Sequence, residues 1–332
     1  MKKLLIFYTL LVFAGLITAC SETAASPTET LPPPTTTSLP PTSDPPQEPD
    51  QPYELVEYIN YKSTQKLHVY TPTGVEIPYP TVVNFRGLWG SQYDIQALAI
   101  YLAERGYATV SVDLNYDGTK YAYDAACALG WIFANADQFH LDPTRIALFG
   151  VTQGGLAASL LGANQNLNPF LVDCEHTLPP SYQAQGVVTW ESFLVARNGV
   201  LSREEDTSAQ AAYWGVSEAS YANLWQTLNA TPPQDWEALT GELGEDVQEY
   251  LRILSLRYVD DSDPPFFFLI GTNLGKAIEA ESYAVDVQAI GGDAAVVVIE
   301  GVDQDDYINP NNPNFPLIAQ EVETYLAKVL SE

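Results

Sequence analysis

The chain has 332 residues, enough for one large domain or two small ones with a sizeable core. Against 14 Lys and Arg stand 42 Asp and Glu, a formal net charge of −28 at pH 7. That balance excludes nucleic-acid binding, which needs a basic footprint, and it repels anionic substrates at long range; a solvated acidic surface accounts for it.

Lys2 and Lys3 followed by the apolar run Leu4 to Ile17 read as a signal peptide over residues 1–19, too short and wrongly flanked for a stable membrane span. Leu16-Ile17-Thr18-Ala19-Cys20 resembles a bacterial lipobox. The resemblance implies cleavage before Cys20, lipid on its sulfur, and a membrane partner through that anchor, in an extracytoplasmic cell-envelope location. An ordinary signal peptide with a chance cysteine is the alternative. Residues 20–52, rich in Pro, Thr and Ser, cannot bury enough surface to fold and read as an extended stalk.

A folded domain is expected over residues 53–332. Tyr53 to Asn60 and Gln65 to Thr71 alternate as an antiparallel pair, and Thr81 to Phe85 is the next strand. Ser91 to Arg105 carries apolar residues at helical spacing and stops at Gly106. Thr109 to Val112 reads as a strand, Tyr121 to Ala136 as a helix, and Ile146 to Phe149 as a buried strand running into Gly150-Val151-Thr152-Gln153-Gly154 and a small-residue helix. Gly186 to Trp190 is a further strand. Residues 193–258 interrupt the alternation with helical stretches and aromatic residues, Trp214, Tyr221, Trp225 and Trp236, which read as core of an inserted cap. Phe266 to Ile270 and Ala295 to Ile299 are strands, Ala277 to Ile290 and Phe315 to Leu330 helices. Strands alternating with helices predict an α/β fold with a doubly wound, mostly parallel sheet. Cys127 and Cys174 are the only cysteines besides Cys20; export permits a disulfide between them, and two buried free thiols are the alternative.

The strand–turn–helix around Gly150 to Gly154 matches the nucleophile elbow G-x-S-x-G with threonine in place of serine. With Leu141-Asp142-Pro143-Thr144-Arg145-Ile146 entering that strand, Pro264-Pro265-Phe266 with Gly271-Thr272, and Gly301-Val302-Asp303-Gln304, it makes the chain resemble α/β-hydrolases, in particular small esterases and acyl-peptidase-like lipases. The resemblance implies a Ser–acid–His triad in that chain order. Its three positions fall here on Thr152, Leu274 and Gln304. Threonine can attack but needs a base, leucine cannot orient an imidazole, and a glutamine amide accepts no proton near neutral pH. No histidine follows His176. His68, His140 and His176 read as structural or exposed, with a stand-in pair of His176 and Glu191 as the remaining route to a base.

Arg86-Gly87-Leu88-Trp89-Gly90 stands where the family places its oxyanion loop, whose main-chain donors can act with the Gln153 N–H. Arg86 either offers charge at the mouth or pairs with one of the many acids. Asp303, Asp305 and Asp306 read as a solvated loop rather than a calcium site, and no cofactor or metal is implied. The expected function is that of a surface-anchored pseudoenzyme that binds a small ligand or protein partner in the former substrate cleft, lined by Arg86, Gly87, Leu88, Thr152, Gln153, Leu274 and Gln304. An active esterase or peptidase with unconventional groups is the alternative, and a scaffold with a filled cleft a third reading.

Overall fold

The computed structural model describes residues 51–331 except 89, 92, 181, 193, 195–210, 212–216, 232–234, 236–238, 240–244 and 273. The signal peptide, Cys20 and nearly all of the expected stalk lie outside the described residues, as do much of the expected cap, Trp214 and Trp236.

Eight strands form one sheet in the order β1-β2-β4-β3-β5-β6-β7-β8. β1 (Tyr53–Asn60) pairs antiparallel with β2 (Lys66–Pro72), and β2 antiparallel with β4 (Ala108–Val112). From there every pairing is parallel, through β3 (Tyr79–Phe85), β5 (Leu141–Val151), β6 (Gly186–Trp190), β7 (Phe266–Ile270) and β8 (Ala294–Val298). Parallel strands are covered on both faces, so β3, β4, β6 and β7 are almost wholly buried, whereas the edge strand β1 has no buried residue.

Helices cover both faces. α1 (Gln96–Ala103) and the C-terminal α7 (Phe315–Val329) close one core, where Leu98, Leu102, Ile318, Val322 and Leu326 meet Val82, Phe149 and Trp190. α2 (Lys120–Phe139), α3 (Gly154–Ala163) and α6 (Leu274–Ile290) close the other, where Tyr121, Leu160 and Tyr283 meet Val83, Leu148 and Phe268. Within the 193–258 segment, α4 (Glu218–Ala230) and α5 (Glu245–Arg252) are helical as expected. There Tyr221 and Trp225 are buried in edge-to-face contact at 5.7 Å between centroids, and both belong to the core.

Two boundaries differ from expectation by five residues. α1 starts at Gln96 rather than Ser91, because the Asp94 carboxylate takes the Ser91 N–H at 2.8 Å and the Tyr93 N–H donates to the Ser91 hydroxyl at 3.2 Å. These local bonds offer the backbone an alternative to helix. β5 starts at Leu141, five residues early, because Tyr79 pairs with Leu141 and its N–H donates to the His140 carbonyl at 2.7 Å. Cys127 in α2 and Cys174 after α3 are bridged, with Cα atoms 5.6 Å apart, so the bridge ties the loop after α3 to the middle of α2.

Candidate functional site

β3, β4, β5, β6, β7 and β8 all end on one edge of the sheet, where open α/β sheets carry their ligand sites. β5 ends there in the elbow. Thr152 has φ of 49°, the only positive value in the turn 150–154. A β-branched residue rarely adopts that conformation, and it costs about 1–3 kcal/mol. Main-chain bonds hold it: the Thr152 N–H donates to the Trp190 carbonyl at 3.0 Å, and the Thr152 carbonyl accepts the Gly155 N–H at 3.1 Å. Two glycines allow the close approach. A Cβ on Gly150 would lie 2.3 Å from the Gly154 carbonyl oxygen, and one on Gly154 would lie 2.2 Å from the Phe85 oxygen.

The Thr152 side chain is buried, and its hydroxyl donates to Gln153 Oε1 at 2.8 Å. The same amide oxygen accepts the Leu88 N–H at 3.2 Å. Gly87 packs against the hydroxyl, and a Cβ there would lie 2.2 Å from Thr152 Oγ1. One side-chain oxygen therefore accepts both the Thr152 hydroxyl and a main-chain donor of the 86–88 loop. The sequence assigned Gln153 only its backbone N–H; its side-chain role depends on how the 86–88 loop folds back over the elbow.

Arg86 does not present its charge at the mouth. Its Nε and Nη2 reach Asp113 Oδ1 at 2.8 and 2.6 Å. Nη1 donates to the Gly87 and Leu88 carbonyls at 2.8 and 3.3 Å, and Nη2 to the Leu114 carbonyl at 3.1 Å. The guanidinium lies over the Tyr116 ring, whose hydroxyl donates to the Arg86 carbonyl. Arg86 thus braces the 86–88 loop through its carbonyls. Past this brace, beyond Asp113 and Leu114, a cleft of about 470 Å³ opens, lined by Lys62, Gln65, Asn115, Tyr123, Asp124 and Arg252 among others.

Leu274 is the first residue of α6, close after β7, and its side chain lies outside the described residues. Gln304 begins a short 3-10 turn after β8; its side chain is exposed and its carbonyl accepts Trp190 Nε1 at 2.8 Å. In the same turn Asp303 and Asp306 cap each other's backbone, and hydrogen bonds from Asn314, the Asp303 N–H and Asn312 hold the Asp306 carboxyl below the usual range. Among the described residues no group of three acids, histidines or cysteines is arranged to hold a metal.

None of the histidines serves the elbow. His68 is buried in β2 between the Tyr58 and Tyr93 rings, with Nδ1 3.7 Å from Glu57; burial lowers its pKa against the pull of Glu57 and Asp113. His140 closes α2 in the left-handed conformation at the opposite edge of the sheet. His176 packs against Gly130 in the middle of α2, where a Cβ would lie 3.0 Å from its own Cβ. Glu191 Oε1 accepts the Gly271 N–H and Oε2 has no hydrogen-bond partner among the described residues, so Glu191 is not bonded to His176.

The BD-FAE family model, an esterase domain of α/β-hydrolase type, matches residues 67–282. The chain belongs to the BD-FAE family. Three solved structures similar to this BD-FAE chain are esterases. Est2 of the planctomycete Thermogutta terrifontis, bound to propionate, is 18% identical over 85% of this chain and 96% of its own, with a TM-score of 0.60. Its butyrate-bound form is 21% identical over 85% and 96%, with a TM-score of 0.59. A truncated carbohydrate esterase from gut microbiota is 14% identical over 86% and 99%, with a TM-score of 0.62. At these identities the likeness establishes the α/β-hydrolase fold. A search of curated protein sequences gives no match.

Proposed function

We propose that this BD-FAE chain keeps the esterase scaffold and its ligand-binding edge but binds its ligand without turning it over by the Ser–acid–His route. The observation that carries this reading is the double use of Gln153 Oε1, which holds the Thr152 hydroxyl and the Leu88 N–H together. A hydroxyl that donates to an amide oxygen has no base to take its proton, and an oxyanion donor already satisfied is not offered to a developing charge. The polar lining of the neighbouring cleft, with Asn115, Gln65, Asp124 and Lys62, suits a hydroxyl-rich ligand, as does the carbohydrate esterase among the similar structures.

The test is turnover of a short-chain aryl ester by purified wild type and by Thr152→Ser, with a denatured control. Neither should exceed background meaningfully, because losing the base alone costs nearly as much as losing the whole triad. A rate of about 1 s⁻¹ or more, an ordinary enzymatic value, overturns the reading.

A second reading, an active ester hydrolase with unconventional groups, is the one that family membership and the esterase neighbours favour. Its specific support at the site is Glu191, a buried carboxyl beside the elbow whose pKa is raised by burial and whose Oε2 has no hydrogen-bond partner among the described residues. We also propose that the domain works at the envelope surface, anchored through Cys20. Cys20→Ala should then release the protein from membranes or leave it unprocessed, and mature, membrane-bound Cys20→Ala protein refutes the anchor.

A further inference from the structure

Glu191 follows β6 directly, with φ of 47° and no exposed surface. Its Oε1 accepts the Gly271 N–H at 2.6 Å, at the end of β7. Its Oε2 is buried and has no hydrogen-bond partner among the described residues. Burial raises the carboxyl's pKa; the Gly271 N–H and Lys276 of α6 pull it down, and Asp303 pushes it up.

Four segments meet around this carboxyl. The Thr152 N–H bonds to the Trp190 carbonyl at 3.0 Å, one residue before Glu191. Trp190 Nε1 donates to the Gln304 carbonyl at 2.8 Å. A Cβ on Gly271 would lie 3.0 Å from Glu191 Oε1 and 2.2 Å from the Val302 oxygen. The Thr272 N–H bonds to that same Val302 oxygen at 2.9 Å. Glu191 therefore sits between the elbow and the 301–304 loop.

An unsatisfied buried oxygen and a left-handed backbone at a residue other than glycine both cost stability. A carboxyl with one oxygen fixed by a main-chain N–H and the other open is suited to orienting an imidazole. It accepts the Nδ1–H, fixes the tautomer and leaves Nε2 to face the nucleophile.

We propose that Glu191, at the end of β6, and not position 274 after β7, is the acid that positions the base in this site, and that it is the triad member this chain retains. The inference rests on the site's descent from a nucleophile–base–acid hydrolase, not on whether the present chain hydrolyses anything. With Thr152→Ser and Gln304→His together, the serine oxygen attacks the acyl carbonyl and its proton passes to the imidazole Nε2. The acyl–oxygen bond breaks as that proton goes to the departing alcohol, and water then releases the acid by the same route. Throughout, Glu191 holds Nδ1–H and stays ionised.

The test needs no turnover. The imidazole introduced by Gln304→His is titrated by NMR, with Glu191 intact and with Glu191→Gln. A carboxylate partner raises an imidazole pKa, so the value with Glu191 intact should stand one to three units above that with Glu191→Gln, the range that a close opposite charge produces. Glutamine still offers Oε1 to the Gly271 N–H, so a purely structural role would change thermal stability and leave the imidazole pKa alone. If Glu191→Gln does not fold, Glu191→Asp, which retracts the carboxyl by one methylene, should give a smaller rise than glutamate. Values equal within about 0.3 units, or a rise that appears only when Leu274→Asp is added, overturn the assignment. In the Thr152→Ser/Gln304→His protein, Glu191→Gln should lower kcat by at least about 100-fold with KM unchanged, as expected for loss of the group that orients the base.

Discussion

Gly150→Ala probes the closeness of the elbow by itself. Gly150 does not use a positive φ, so the substitution adds no left-handed strain and its cost is steric. The new Cβ would lie 2.3 Å from the Gly154 oxygen, 2.5 Å from the Gly154 carbonyl carbon and 2.6 Å from the Gly155 Cα. Non-bonded carbons prefer about 3.5–4.0 Å, so strand and helix must part by roughly 1 Å. All three obstacles are main chain, and no rotamer change relieves them. Overpacking costs typically about 1–3 kcal/mol, and a clash with rigid backbone belongs at the top of that range or above, at about 3 kcal/mol or more. Gly74→Ala is the control: φ there is +72° with nothing within 4 Å of the added carbon, so only the conformational cost of about 1–2 kcal/mol applies. Urea unfolding followed by tryptophan fluorescence and circular dichroism, with linear extrapolation, compares the two. If Gly150→Ala is no more destabilising than Gly74→Ala, strand and helix do not approach as closely as described, and the account of the elbow is wrong.

Two further expectations concern stability. Thiol titration of unfolded, unreduced protein should find no free thiol from Cys127 and Cys174, and the double alanine variant should lose about 4 kcal/mol for a closed loop of 47 residues on the chain-entropy estimate; two free thiols refute the bridge. Asp263 is pushed up to about 7 by burial, opposed by the Asp260 N–H and reinforced by the Asp260 charge, whereas an unfolded aspartate ionises near 3.9. Between those values the folded state keeps a proton that the unfolded chain has released, so this group's contribution to stability falls as pH rises and is lowest above about 7. Asp263→Asn should therefore melt higher than wild type at pH 8, with the gap shrinking by more than half at pH 5; an equal gap at both values refutes the assignment.

Much of the architecture was legible because composition and burial coincide. β6 and β7 fall on their expected bounds, since Gly186 and Pro265 punctuate short apolar runs that only a sheet covered on both faces can use. The elbow was legible because its glycines are needed for contact, and Thr152 carries the turn's one positive φ. What was missed depends on tertiary contact. Nothing in the 91–95 stretch separates an apolar helical spacing from the Asp94 turn that delays α1. The reach of the Gln153 side chain to Leu88 depends on a loop 65 residues away. Glu191 was visible as a candidate acid by its place after β6, but its unsatisfied oxygen and its bond to Gly271 could not be read from the sequence.

The bond between Leu88 N–H and Gln153 Oε1 also bears on selectivity. A guest that seeks this donor must displace an acceptor tethered beside it, whose effective concentration far exceeds that of most free ligands. It must also leave the Thr152 hydroxyl to find a new partner. A neutral ester carbonyl replaces one uncharged oxygen with another and gains little from the exchange. A carboxylate or another anionic oxygen makes a hydrogen bond about twice as strong and can win it. On the proposed reading the elbow would rank guests by acceptor strength, while the chain's acidic surface would slow the approach of anions.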